Sequence, residues 1–189
     1  MSTKLQPNDY ESAAKRLGTG IAEVKAVCEV ESGGTGFTAD GKCIIRFEPH
    51  IFSRYTKGQY DVSHPTLSFP VRRAGYPTSV EHSWKLFEQA AKLNANAAVL
   101  ACSWGLFQVM AFNYSACGCK SLNEFVARME RSEGDQLDMF CTLLINWGLN
   151  DELARHEWAT FARVYNGPDY KSNLYDMKLD KAYRKYSVN

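Results

Sequence analysis

The sequence predicts an α+β fold that is mainly α: a helical domain with one small β-hairpin lobe in its first third. Three observations predict it. Ile21, Val24, Val27, Cys28 and Glu31 recur at helical spacing on one face. Residues 36–48 then turn β-rich around Asp40-Gly41, a strong hairpin-turn dipeptide. From Ser79 onward, helix caps and helical spacing return and continue to the end of the chain.

The first helix is expected to start with Asn8 or Asp9 as its N-cap, run through Leu17 and stop at Gly18. A second is expected from about Gly20 to Glu31. Gly33-Gly34 would end it, because glycine tolerates the left-handed conformation common at helix C-termini. The β segment follows, and Pro49 holds Glu48 toward an extended conformation so that the strand ends there. Residues 53–79 show no clear period and read as a long irregular segment. Ser79 caps a helix to about Leu93, and a short helix over Ala95–Ala101 leads to a turn at Gly105. Ser121 and Glu124 fit a capping box. Further helices are expected over Ser132–Trp147, Glu157–Tyr165 and Tyr170–Tyr183.

With 189 residues the chain holds one domain with a real core or two very small ones, and a single catalytic domain over 1–189 is expected. A net charge of +1 argues against nucleic acid or a strongly anionic membrane as the main partner. No apolar run approaches a membrane span, so no stable insertion is expected. Residues 1–20 lack the apolar stretch of a signal peptide, which implies synthesis in a cytoplasm and another route for any export. Six cysteines in such a compartment read as free thiols. Neither they nor the four histidines show metal-ligand spacing, so no metal is expected, and no cofactor.

Two acids draw attention. Glu31 falls on the apolar face in the last turn of its helix, where the helix dipole and apolar neighbours both disfavour ionisation. A carboxylic acid kept protonated near neutral pH can protonate a leaving glycosidic oxygen. The competing reading is a solvated acid at a fraying helix end. Glu48, at the end of the β segment, would face Glu31 across a cleft, or else pair with Arg46 or Arg54. Gln108 follows Ser103-Trp104-Gly105. A Gly lets backbone approach a sugar closely, and a Gln amide both donates and accepts. The alternative is a plain turn over a packed core. Tyr165-Asn166-Gly167 ends a helix with a ring face and a hydroxyl suited to sugar contact, or with an ordinary core tyrosine.

The ordered motifs Val30-Glu31-Ser32-Gly33-Gly34, Ile44 to Phe52, Ser103-Trp104-Gly105-Leu106-Phe107-Gln108-Val109-Met110 and Tyr165-Asn166-Gly167 carry a resemblance. The chain resembles the lysozyme-like superfamily of goose-type lysozymes and lytic transglycosylases. It is more closely similar to the N-acetylmuramidase domain of bacteriophage endolysins. The resemblance implies a lysozyme-like fold and peptidoglycan glycan strands as substrate, cut between N-acetylmuramic acid and N-acetylglucosamine. It also implies Glu31 as general acid and Gln108 and Tyr165 along the glycan groove. Ser103, Gly105 and Asn166 share those motifs and are counted with the substrate-binding residues, and Glu48 with the catalytic ones. One departure stands out: Gly105 lies 74 positions after Glu31 (105 − 31), much later than in transglycosylases. The intervening stretch holds Glu48, which favours a hydrolase over a transglycosylase. A non-catalytic glycan-binding protein or a phage structural component are the readings from other classes. A monomeric enzyme, released to periplasmic peptidoglycan with the help of a holin, is the resulting expectation.

Overall fold

A computed structural model of the chain describes residues 4–31, 34–71 and 75–188. Helix α1 spans Pro7–Leu17 and ends at Gly18, whose φ of 68° is the left-handed stop expected there. Its start lies earlier than Asn8 or Asp9. Gln6 is the N-cap, Pro7 fills the first turn, and the Asp9 carboxylate accepts from the Gln6 N–H at 2.7 Å. Asp9 is thus the third-position partner of a capping box and not the cap itself. Helix α2 spans Ile21–Glu31 and buries Val24, Val27 and Cys28, while Ile21 stays 40% exposed. Of the glycines expected to end it, Gly33 lies outside the described residues and Gly34 has a φ of 93°.

The Asp40-Gly41 turn forms as expected. The Gly41 N–H bonds the Thr38 carbonyl at 3.0 Å, and Phe37 pairs with Cys43 across the turn. The next strand, β1 (Ile45–Phe47), does not pair with this hairpin. It runs antiparallel to β2 (Cys102–Trp104), which pairs in turn with β3 (Val109–Met110). The chain beyond Ser79 is therefore not helical throughout. Segments of two and three residues are too short to show a period, and their strand character comes from the open edge of β1. The strand was expected to end at Glu48, but Pro49 also begins a helix that was not foreseen, α3 (Pro49–Tyr55), which runs into the segment expected to be irregular. Proline is pre-organised for a first helical turn, and Glu48 before it stays extended as the N-cap.

The later helices follow their caps. α4 spans Val80–Leu93 and α5 Ala95–Leu100; the Ser79 and Asn94 side chains accept from the N–H groups of His82 and Ala97. α6 spans Leu122–Arg131 with Ser121 as cap, and α7 spans Glu133–Asn146 with Ser132 as cap. A short α8 (Asn150–Ala154) was not foreseen. α9 spans Trp158–Tyr165. α10 spans Tyr175–Ser187 and starts later than expected, because Pro168–Lys171 forms a 3-10 turn and Leu174 adopts a φ of 55°.

The core centres on α7, with Leu137, Phe140, Leu144, Phe125 and Met129 fully or nearly fully buried. Trp84, Phe87 and Trp104 meet edge to face where α4 covers the sheet. α10 packs lengthwise on α2, the most extensive helix pair among the described residues. All six cysteines are free and buried, and burial pushes the Cys43, Cys117 and Cys141 thiols up to about 12. None of the described helices is long and apolar enough to cross a membrane. Phe140 stacks on Phe107 at 4.2 Å and meets Tyr165 edge to face at 5.2 Å. Phe140→Ala is expected to cost about 3–5 kcal/mol of stability in urea denaturation. A loss under about 1 kcal/mol would mean that the site collapses around the cavity.

Candidate active site

Glu31 is the last residue of α2, so its side chain leaves the helix where the carbonyl ends face it. It is largely buried, and burial raises its carboxyl pKa to about 7, against the opposing pull of an Asn166 hydrogen bond and the Lys178 charge. The Asn166 side-chain Nδ2 donates to Glu31 Oε2 at 2.8 Å. Glu31 Oε1 and Asn166 Oδ1 are both buried and have no hydrogen-bond partner among the described residues. Two buried polar atoms without partners, on residues joined to each other by a hydrogen bond, are a place where a polar ligand would complete the pairing.

Asn166 caps α9 immediately after Tyr165. The Tyr165 hydroxyl does not reach into open space. It donates to the Phe107 carbonyl at 2.9 Å and so ties α9 to the turn between β2 and β3. Burial, with the Glu31 charge second, holds its pKa well above the ordinary value.

That turn is built by two residues in left-handed conformations, Gly105 at φ 70° and Gln108 at φ 49°. The second is uncommon for a residue with a side chain and costs on the order of 1 kcal/mol. It is held by its own amide: Gln108 Nε2 donates to the Gly105 carbonyl at 2.8 Å, and Oε1 accepts from Ser103 Oγ at 2.9 Å. One amide N–H and one lone pair remain for a ligand.

Glu48 enters from the other wall. Its backbone N–H bonds the Ala101 carbonyl at 2.8 Å, which fixes the strand end beside α5. Its carboxylate stands 3.5 Å from Arg46 Nε and 3.7 Å from His50 Nδ1, with only 15% of the side chain exposed. The Tyr76 hydroxyl hydrogen-bonds His50 Nδ1 in turn.

Glu31, Glu48, Ser103, Gln108, Tyr165 and Asn166 line one cleft of about 380 Å³. Gly105 does not line it: a Cβ there would lie 2.6 Å from the Gln136 side chain, so its close approach is to the core. Arg46, Met110, Asn113, Trp147 and Tyr175 also line the cleft and were not foreseen as site residues. The sequence places Trp147 as the last residue of the helix expected over Ser132–Trp147. It lies just past the helix end, 36% exposed and 6.2 Å from the Tyr165 ring. A larger groove of about 940 Å³ lies between α9 and α10, but Glu31, Glu48 and Asn166 all line the smaller cleft.

Residues 20–187 match the family model described as N-acetylmuramidase. Among solved structures, the chain is similar to the crystal structure of the Burkholderia AP3 phage endolysin. The two share 35% sequence identity at a TM-score of 0.92, over 99% of this chain and 73% of that one. No curated protein sequence matches it. Every residue that lines the cleft falls within the matched stretch, and the chain belongs to the N-acetylmuramidase family of peptidoglycan-degrading glycoside hydrolases.

Proposed function

We propose that the chain is a phage endolysin that hydrolyses the β-1,4 bond between N-acetylmuramic acid and N-acetylglucosamine, with Glu31 as general acid. The observation that carries this is the largely buried Glu31, with its pKa near 7 and its Oε1 unpartnered, in a cleft that Glu48 also lines. Asn166 donates to Oε2, so Oε2 serves as the acceptor oxygen and the proton sits on Oε1. From there it passes to the glycosidic oxygen as the bond breaks. Glu48, with Arg46 beside it, orders the attacking water or the oxocarbenium-like carbon, depending on the carboxyl separation: about 6.5–9.5 Å for inversion, about 5–5.5 Å for retention. Asn166 Oδ1 and the spare donor of Gln108 receive acetamido and hydroxyl groups of the glycan, with Ser103 holding Gln108 and Tyr165 holding the turn.

Digested peptidoglycan tests this reading by mass spectrometry. Free reducing ends are expected, and 1,6-anhydro ends would instead mean a transglycosylase. The rate is expected to fall above pH 7 as Glu31 ionises, since only the protonated acid can donate. A pH–rate profile that stays flat to pH 9 would remove Glu31 from that role. Trp147→Ala is expected to raise KM severalfold with kcat nearly intact, because a stacked ring is worth roughly 1 kcal/mol of uniform binding. Steady-state rates on soluble glycan strands check it. The protein acts as a monomer made in the host cytoplasm, and release to the periplasm depends on a holin. Its appearance in the periplasm of holin-free cells would contradict that route.

A further inference from the structure

Two polar residues of α7 are buried where neither touches the cleft. Glu133 is 4% exposed, and Gln136 is wholly buried. They are three positions apart and so share one face of the helix. Glu133 Oε1 accepts from the Gly36 N–H at 2.8 Å and from Thr35 Oγ1 at 3.2 Å, on the loop that follows Glu31. Gln136 Oε1 accepts from the Leu106 N–H at 2.7 Å, inside the turn that carries Gln108. Its Nε2 donates to the Met129 carbonyl, also at 2.7 Å, so the amide is fixed at both ends.

The amide lies between two glycines, one from each segment. A Cβ on Gly36 would come 2.1 Å from Gln136 Oε1, and one on Gly105 would come 2.6 Å from its Cδ. The connections close into a ring. Glu31 accepts from Asn166, the adjacent Tyr165 donates to Phe107, Gln136 holds the neighbouring Leu106, and Glu133 holds Gly36, five positions after Glu31 (36 − 31).

We infer that Glu133 and Gln136 are positioning residues for the acid: they set the spacing between the loop after Glu31 and the 105–108 turn, and so hold Glu31 against Asn166. An ordinary buried polar pair would stabilise the fold alone. This pair bonds the two segments between which the acid is placed. The inference rests on Glu31 being the general acid.

The test uses the full chain and soluble glycan strands. Gln136→Leu removes the link to Leu106. Gly36→Ala pushes a methyl into the amide, at a backbone conformation open to alanine. Each is expected to lower kcat roughly 10- to 100-fold while KM changes far less, because Gln108 keeps its own bonds to Gly105 and Ser103 and the main disturbance is to placement of the acid. Each is also expected to move the alkaline limb of the kcat profile below pH 7. Leu153→Ala, a buried truncation in α8, is the control: a lower melting temperature with kcat and limb unchanged. Wild-type kcat and limb in a folded Gln136→Leu or Gly36→Ala would overturn the inference. So would a kcat loss with an unmoved limb. If Gln136→Leu fails to fold, Gly36→Ala decides. Glu31→Gln run in parallel separates the two readings: full activity there refutes the acid assignment, whereas an inactive Glu31→Gln beside a wild-type-like Gln136→Leu refutes only the positioning role.

Discussion

Glu31→Gln is expected to lower kcat by roughly 10²–10⁴-fold with little change in KM, the range that a positioned proton donor supplies. The amide keeps the shape of the carboxyl and can still accept from Asn166, but it has no transferable proton. The same substitution is expected to stabilise the fold above neutrality. In the folded chain the carboxyl pKa is raised from 4.5 to about 7, so between those values the native state holds a proton that the unfolded chain has lost. Stability therefore falls as pH rises through that window, and by pH 8 the buried charge costs about 3 kcal/mol. Glu31→Gln avoids this cost. Urea denaturation should find the variant more stable than the parent at pH 8 and the two similar at pH 4. A variant no more stable than the parent at pH 8 would mean that Glu31 is solvated. Under the proposed role, the acid gives up stability for function.

Glu48→Gln is expected to lower kcat by about 10²-fold, the lower end of the range for a group that activates water or stabilises developing charge. It should leave the alkaline limb in place, since that limb belongs to Glu31. With Glu48→Ala, added azide is expected to restore turnover and to form a glycosyl azide, because a small anion occupies the vacated position. That azide is expected to be the α-anomer under either mechanism, since Glu48 acts from the face opposite the leaving oxygen in both; the anomer first released by the parent enzyme reports whether it inverts or retains. Unchanged kcat in Glu48→Gln, with 1,6-anhydro products, would mean that one acid suffices and that the substrate's own hydroxyl attacks.

The helices were largely legible because their punctuation is local. Ser79, Ser121 and Ser132 cap α4, α6 and α7 through bonds to residues three positions on. The sheet was not, because β2 and β3 owe their conformation to β1, more than fifty residues earlier in the chain. Pro49 misled for a related reason: it restrains the residue before it in the same way whether a helix or a loop follows. At the site, Glu31, Gln108 and Asn166 were named from motifs, and the fold brings them together. Gly105 was read as room for a sugar, but the space beside it is filled by Gln136. Glu133 and Gln136 gave no signal, because a polar residue beside an apolar stripe reads as a solvated one. Only the return of distant loops to α7 shows that this face is interior. Trp147 was hidden because it was expected to be the last residue of a packed helix, and it lies just past the helix end.

The lengthwise packing of α10 on α2 bears on when activity begins during synthesis. Tyr175 and Lys178 of α10 stand near the carboxyl of Glu31, which is set in place near the start of the chain. A ribosome completes α2 long before it releases α10. Until that late helix docks, water has access to the side of Glu31 that α10 covers, and its carboxyl should titrate as an ordinary glutamate. With Glu31 as the proposed acid, a nascent chain has no working acid until α10 has been made and has docked.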